Sequence, residues 1–195
     1  MSQANGPDLR RAVFLDRDGT LNVDTGYPSA AEDVRLVPRA AEGAAMLSAA
    51  GYTLVIVSNQ SGIARGLISE QQADAVDARI VALLKAQHVK IDGIYRCPHL
   101  RGGSVAAFAV DCECRKPKPG LLLRAASEMG LDLHASWAVG DGVRDIEAGL
   151  AAGCRVIAVD SVGPVHAGDR PSFPAGTLRA HTLADAARMI VESAA

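Results

Sequence analysis

Asp16 and Asp18 stand two residues apart at the end of the apolar run 11–16. Carboxylates with this spacing at the end of a strand can take different roles, one attacking a substrate or holding a cation and the other moving protons. An Asx turn that closes a strand would use the same residue types, because Asp and Gly are common in turns. Taken alone, the pair leaves both interpretations open.

Polar residues also end two later apolar runs, 52–59 and 136–141. Ser58 and Asn59 place a hydroxyl and an amide where backbone N–H groups can also bind an anion. Asp141 ends the other run, and Asp145 follows about one helical turn later. A polar turn would explain the first pair, and a helix N-cap would explain Asp141, so these residues indicate chemistry only in combination with Asp16 and Asp18.

A metal-ligand pattern lies in segment 97–114, which contains three of the four cysteines. Cys97 and His99 form one pair and Cys112 and Cys114 the other, so the ligand set is three thiolates and one imidazole, as in closed structural zinc sites. Reduced thiols without metal, or a disulfide, are the alternatives. Within this loop, residues 104–110 are apolar, which favours packing against the protein body over partial coverage of a substrate.

Short apolar runs alternate with segments of helical spacing, which predicts an α/β fold with a mainly parallel sheet covered on both faces. Ser69 with Gln72 forms a capping-box pattern at the start of one helix. The predicted strands are 11–16, 52–59, 91–97, 136–141 and 154–160, and further predicted helices are 39–50, 119–129, 143–152 and 182–193. In such sheets ligands bind beyond the carboxyl ends of the strands, where the polar residues lie.

Composition narrows the class of partner. The chain has 195 residues, 49% of them hydrophobic, and a net charge of −2, which favours one domain spanning 1–195 and gives no basic surface for nucleic acid or anionic membrane. No stretch reaches the roughly 18 apolar residues of a spanning helix, so we expect a cytoplasmic protein whose thiols stay reduced. Cys154 is expected to be a buried small side chain.

Four segments in this order, "FLDRDGTLN", "SNQSG", "RKPKPG" and "GDGVRD", resemble the motifs of the haloacid dehalogenase superfamily. The resemblance covers about residues 11–160 and implies a three-layer Rossmann-like domain. The second aspartate, Asp18, is similar to that of the phosphatase branch. Together with the zinc-loop pattern, "DRDGTLN" and "SNQSGIARG" resemble the D-glycero-D-manno-heptose-1,7-bisphosphate 7-phosphatase family, with the histidinol-phosphate phosphatases as near relatives.

The resemblance implies a role for each matching residue. Asp16 would be the nucleophile that forms an aspartyl-phosphate, and Asp18 would be the general acid and base. Mg²⁺ would be held by Asp16, by the backbone carbonyl of Asp18 and by Asp141. Further implied roles are phosphate binding by Ser58 and Lys116, substrate binding by Thr20, Asn59, Arg65 and Arg115, support of the metal or of Lys116 by Asp145, and structural zinc binding by Cys97, His99, Cys112 and Cys114.

Two positions depart from the family pattern. Position 58 is Ser where Thr is usual, which keeps the hydroxyl. Position 142 is Gly where Lys or Ser is usual, so a side-chain contact made there is missing. The intervals between the motifs are too short for a full cap domain, and we expect an uncapped site whose substrate is recognised by loops 22–36 and 97–116.

The implied reaction is Mg²⁺-dependent hydrolysis of the 7-phosphate of heptose 1,7-bisphosphate, on the route to nucleotide-activated heptose for glycans such as lipopolysaccharide. Histidinol phosphate or another small phosphomonoester is the alternative substrate. A nucleic-acid 3′-phosphatase shares the aspartate motifs, but the acidic balance and an aromatic content of 4% argue against it. We expect a monomer that binds a small phosphorylated sugar, with no nucleic acid or membrane partner.

Overall fold

The computed structural model describes residues 9–160, 162 and 172–194. Within them the chain forms one six-stranded sheet in which all neighbouring strands are parallel. The strands are β1 (Ala12–Leu15), β2 (Thr53–Asn59), β3 (Gly93–Cys97), β4 (Trp137–Gly140), β5 (Arg155–Val159) and β6 (Leu178–Ala180). Their order in the sheet is β3-β2-β1-β4-β5-β6.

Helices cover both faces of the sheet, because alternate strand residues point into two separate cores. The helices are α1 (Ala40–Ala49), α2 (Ser61–Ala64), α3 (Glu70–Lys85), α4 (Gly120–Met129), α5 (Val143–Ala151) and α6 (Leu183–Glu192). In β1, Val13 and Leu15 join one core with the helices α1, α3 and α6, whereas Ala12 and Phe14 join the other with α4 and α5. The predicted three-layer Rossmann-like α/β fold is therefore confirmed.

Most predicted elements are present. The capping box at the start of α3 forms as predicted: the Gln72 N–H donates to the Ser69 hydroxyl, and the Gln72 side chain accepts from the Ser69 N–H. Cys154 is 5% exposed, and burial raises the pKa of its thiol to about 12. Strand β6 was not predicted. It has three residues and lies at the sheet edge, so its sequence lacks the long apolar run of a buried strand.

The strand order changes direction at β1, which has β2 on one side and β4 on the other. A crevice opens beyond the carboxyl ends of the strands at such a point. Between β1 and β2 the described chain holds only a short 3₁₀ turn, Ala31–Asp33, and α1, so no cap domain is inserted there. Among the described residues, no helix combines the length and the apolar character that crossing a membrane requires.

Candidate active site and metal-binding loop

A polar cleft of about 220 Å³ opens at the change in strand order. Residues from the ends of β1, β2 and β4 meet there with residues from the loop before α4, as expected from the parallel sheet. The cleft is lined by Asp16, Asp18, Asp24, Gly26, Tyr27, Ser58, Asn59, Gln60, Ser61, Arg115, Lys116, Asp141, Arg144 and Asp145.

Asp16 and Lys116 form the base of the cleft. The Lys116 ammonium lies 2.6 Å from Asp16 Oδ1 and 2.6 Å from Asp145 Oδ1, and it also donates to the Val57 carbonyl at 2.7 Å. Lys116 is 3% exposed and Asp16 is 8% exposed. The buried ammonium therefore has three oxygen partners in fixed positions, as a buried charge requires.

These contacts and the burial of the two groups shift the pKa values of Asp16 and Lys116. Burial and, next, the Asp145 carboxylate raise the pKa of Asp16 to about 8, while the Lys116 ammonium opposes the rise. Burial alone would lower the pKa of Lys116, but the carboxylates of Asp145 and Asp16 raise it above its usual value. Positive charge near Asp16 thus favours its ionised, nucleophilic form.

A cluster of carboxylates beside Lys116 has the chemistry of a hard-cation site. Asp16, Asp141 and Asp145 each place an oxygen within 4.8 Å of the others. Gly19 keeps the space around Asp141 open, because a Cβ at position 19 would lie 2.3 Å from Asp141 Oδ2. Carboxylate oxygens are the ligands that Mg²⁺ prefers, so the residues present fit this ion.

Asp18 is held by donors on both of its carboxylate oxygens. Arg17 Nη2 and Gln60 Nε2 each donate to Oδ2 at 2.8 Å, and Asn22 Nδ2 donates to Oδ1 at 2.9 Å. Arg17 is fully buried, and its Nη1 donates to Asp77 Oδ1 on α3 at 2.8 Å. Asp18 is therefore connected to α3 through one buried guanidinium.

Ser58 and Asn59 end β2 with different contacts. Gln60 Nε2 donates to the Ser58 hydroxyl oxygen at 2.7 Å, which leaves the hydroxyl hydrogen for an acceptor in the cleft. Asn59 bonds to the Lys116 backbone in both directions, donating to its carbonyl at 2.9 Å and accepting from its N–H at 3.0 Å. These two bonds fix the Asn59 amide to the Lys116 backbone, and Asn59 also lines the cleft, where its role as a substrate donor stays a prediction.

The structure places two of the predicted substrate-binding residues, Thr20 and Arg65, outside the described lining of the cleft. Thr20 is 1% exposed. Arg65 caps α2 with an exposed side chain. Arg115 does line the cleft, and its Nη1 donates to the His99 carbonyl at 3.2 Å. Spacing in a motif could not reveal which of these side chains faces inward.

The four predicted zinc ligands converge. The Cys112 sulfur lies 3.5 Å from that of Cys97 and 3.4 Å from that of Cys114, and His99 Nδ1 lies 3.3 Å from the Cys114 sulfur. Zn–S bonds of about 2.3 Å in a tetrahedron place sulfurs about 3.8 Å apart. All four cysteines of the chain are free thiols. The cluster can therefore hold a metal ion, and its geometry fits Zn²⁺.

The loop between the ligand pairs packs on the protein body, as favoured from its apolar sequence. Phe108 contacts the buried cluster of Ile63, Ile68 and Ala73, and the Val105 N–H donates to the Ala64 carbonyl at 2.9 Å. The metal-ligand loop is thus anchored on α2 as well as at its own ligands, and it leads directly into Arg115 and Lys116.

Sequence reasoning missed several residues at this site. Gln60, Asn22 and Asp77 hold Asp18 directly or through Arg17, and Arg144 lines the cleft. Gln60 and Arg144 lie inside recognised motifs, so their positions gave a usable signal. The sequence signal for Asp77 was weak: it is a charged residue on the apolar face of a helix.

The comparisons with known proteins agree with this geometry. A family model described as HAD-hydrolase-like matches residues 113–186. The chain is 46% identical over 141 residues to the D-glycero-beta-D-manno-heptose-1,7-bisphosphate 7-phosphatase of Yersinia pestis, covering 72% of this chain and 75% of that protein. It is 43% identical over 141 residues to the Escherichia coli K12 enzyme of the same name, covering 72% and 74%.

Solved structures give the same result. The D,D-heptose 1,7-bisphosphate phosphatase of B. bronchiseptica, complexed with magnesium and phosphate, superposes with a TM-score of 0.81 at 30% identity and covers 94% of this chain and 99% of that chain. The Burkholderia thailandensis enzyme superposes with a TM-score of 0.68 at 25% identity, covering 93% and 99%. The chain belongs to the haloacid dehalogenase superfamily of hydrolases, in the family of the heptose-1,7-bisphosphate 7-phosphatases.

Proposed function

We propose that the protein is a Mg²⁺-dependent phosphatase that removes the 7-phosphate of D-glycero-β-D-manno-heptose 1,7-bisphosphate. The observation that carries this proposal is the meeting of Asp16, Lys116 and Asp141 in one cleft at the carboxyl ends of β1 and β4. The β anomer is taken from the names of relatives that are 42–46% identical.

In the first step a carboxylate oxygen of Asp16 attacks the phosphorus atom, and the bond from phosphorus to the sugar oxygen breaks. Lys116 is positioned to hold a phosphoryl oxygen and to favour the ionised form of Asp16, since its ammonium already contacts Oδ1 at 2.6 Å. The Ser58 hydroxyl, oriented by Gln60, would donate to a second phosphoryl oxygen. Catalysis of phosphoryl transfer depends mainly on such positioning and charge stabilisation.

Asp18 would transfer the proton at both steps. In the first, its carboxyl gives a proton to the leaving sugar oxygen, which releases heptose 1-phosphate and leaves an aspartyl-phosphate on Asp16. In the second, the Asp18 carboxylate takes a proton from water as the water oxygen attacks phosphorus. The Asp16–phosphorus linkage then breaks, inorganic phosphate leaves and both aspartates return to their initial states. Arg17 and Asn22 keep the Asp18 carboxylate in place between the steps.

Asp16, Asp141 and the backbone carbonyl of Asp18 would hold Mg²⁺. When bound, the ion supplies positive charge that reduces repulsion between the Asp16 carboxylate and the phosphate dianion. Asp145 is the third carboxylate of the cluster, but its Oδ1 lies 2.6 Å from Lys116 and its Oδ2 accepts from the Gly142 N–H at 2.9 Å. We therefore assign Asp145 to the positioning of Lys116 rather than to direct metal binding.

We further propose that Cys97, His99, Cys112 and Cys114 bind structural Zn²⁺. Four protein ligands leave no position for a catalytic water. The ion would fix the loop that precedes Arg115 and Lys116, and thiolate ligands require a reducing compartment such as the cytoplasm. A monomer that binds neither nucleic acid nor membrane agrees with the net charge of −2.

The decisive experiment measures inorganic phosphate released from the α and β anomers of heptose 1,7-bisphosphate, from histidinol phosphate and from a 3′-phosphorylated oligonucleotide. EDTA followed by Mg²⁺ alone or Zn²⁺ alone tests which ion restores turnover, and Asp16→Asn is the inactive control. We expect Mg²⁺-dependent release from the β anomer. Turnover of histidinol phosphate or of the oligonucleotide, with neither heptose anomer used, would refute the substrate assignment and leave the aspartate chemistry standing.

A further inference from the structure

The cleft is rich in carboxylate side chains, and its positively charged side chains differ in the protein partners that they contact. Lys116 is enclosed by Asp16 and Asp145 at 2.6 Å each. A substrate with two phosphates must bring a second dianion into this environment, so it needs a cation beyond Lys116. The carboxylates that line the cleft are those of Asp16, Asp18, Asp24, Asp141 and Asp145, and the other lining cations are Arg115 and Arg144.

Arg144 is a cation of the cleft wall that has no protein partner among the described residues. It is the second residue of α5, its side chain is exposed, and it lines the cleft. Throughout the described ranges no hydrogen bond or ion pair involves Arg144. Arg115 differs, since it already donates to the His99 carbonyl at 3.2 Å. Within the part of the chain that the structure describes, no protein group occupies the donors of the Arg144 guanidinium, so they can bind a ligand.

The Arg144 side chain lies close to Gly142, at the start of α5. A Cβ at position 142 would be 3.5 Å from Arg144 Nε and 3.7 Å from its Cγ. These are ordinary contact distances, whereas the same Cβ would lie 2.9 Å from Asp145 Oδ2. The Arg144 side chain therefore lies near the point where a side chain at position 142 would begin.

We propose that Arg144 binds the phosphate that is not transferred, and so determines the preference of the enzyme for a bisphosphate; this inference rests on the function proposed above. The transferred phosphate lies against Asp16, where Lys116 and Ser58 meet it at the base of the cleft. Arg144 lies at the exposed rim, which is where the opposite end of the sugar must emerge. A guanidinium can bind phosphate through two parallel N–H donors.

The test compares two substrates that share the reacting group, heptose 1,7-bisphosphate and heptose 7-phosphate. Arg144→Gln should raise KM for the bisphosphate by roughly 10- to 100-fold, the range expected for a charge-assisted hydrogen bond, with kcat changed less than about threefold. KM for the 7-phosphate should not change. Arg144→Lys should fall between, because it keeps the charge without the paired donors. Arg79→Gln, an exposed arginine on α3, is the matched control.

The possible outcomes separate this inference from the proposed function. Equal losses on both substrates, or no loss on either, would overturn the role of Arg144 while the phosphatase activity stands. That role is also overturned if the unaltered enzyme does not distinguish the bisphosphate from the 7-phosphate. If the unaltered enzyme hydrolyses neither heptose substrate, the proposed function is refuted and the inference with it. Melting curves of the variants should match that of the unaltered protein, since Arg144 is exposed.

Discussion

The replacement of Asp77 by Ala tests the buried link between α3 and the aspartate pair. Asp77 Oδ1 accepts from Arg17 Nη1 at 2.8 Å and its Oδ2 accepts from Arg96 Nη1 at 3.0 Å. The Arg17 side chain is 0% exposed and that of Asp77 is 8% exposed. The substitution leaves the Arg17 guanidinium with Asp18 as its remaining charged partner. Water cannot replace the lost contact, because the Arg17 side chain is fully buried.

The magnitude follows from this burial. Removing one partner of a buried ion pair costs about 3–5 kcal/mol of unfolding free energy, and the remaining contact with Asp18 favours the lower end, about 3 kcal/mol. For a domain of this size, 1 kcal/mol corresponds to about 2–4 °C in the melting temperature. We therefore expect Asp77→Ala to lower Tm by about 6–12 °C.

Asp74→Ala is the matched control. Asp74 lies on the same helix and binds the same Arg96 at 2.6 Å, but its side chain is 66% exposed. Exposed ion pairs contribute about 1 kcal/mol or less, so Tm should fall by less than about 4 °C. Both variants exchange Asp for Ala in α3, so the change in helix propensity cancels in the comparison.

The assay is thermal and urea unfolding of the three proteins, followed by circular dichroism. The urea midpoints should rank the unaltered protein first, Asp74→Ala slightly below it and Asp77→Ala well below both. If the unfolding free energies of the two variants differ by less than about 1 kcal/mol, Asp77 does not stabilise the buried Arg17 guanidinium and the reasoning is wrong.

Three further changes test other parts of the structure. Gly19→Ala should weaken Mg²⁺ activation by about 10- to 100-fold, since its Cβ would lie 2.3 Å from Asp141 Oδ2 at a residue with φ of +88°; an unchanged Mg²⁺ titration would contradict this. Cys112→Ser should lower the bound zinc measured by elemental analysis to well below one per chain, because one of four ligands becomes a hydroxyl; zinc retained at one per chain would refute the ligand set. Thr182→Ala should lower the unfolding free energy by about 1 kcal/mol, because its hydroxyl caps α6 by accepting from the Asp185 N–H; a urea midpoint equal to that of the unaltered protein would show that the cap contributes nothing.

The metal-ligand loop 97–114 shows how much a local sequence pattern can predict. Two closely spaced ligand pairs predicted a four-ligand cluster, and the described sulfur and nitrogen atoms converge as that pattern requires. The apolar sequence of the loop also predicted its packing on the body, which Phe108 makes. Both properties depend on residue type over a short span, and such properties can be read without a structure.

The directions of side chains around the cleft were harder to predict. Thr20 and Arg65 lie inside or beside recognised motifs, but they do not line the described cleft, and Asn59 clamps the Lys116 backbone. The direction of a side chain at the end of a strand or a short helix depends on the backbone of the following loop. Motif membership says nothing about that direction.

Residue order alone was enough to predict the alternation of strands and helices, the aspartates at the ends of β1 and β4 and the metal-ligand set, because each follows from hydrophobic periodicity or from close spacing along the chain. The folded arrangement decided which distant groups meet: Lys116 with Asp16 across 100 residues, and Asp77 with Arg17 across 60. It also left Arg144 at the cleft rim without a protein partner among the described residues. These contacts depend on the order of the strands in the sheet and on where the helices pack. Hydrophobic periodicity along the chain does not determine that order, because a parallel strand has the same pattern at any position inside the sheet.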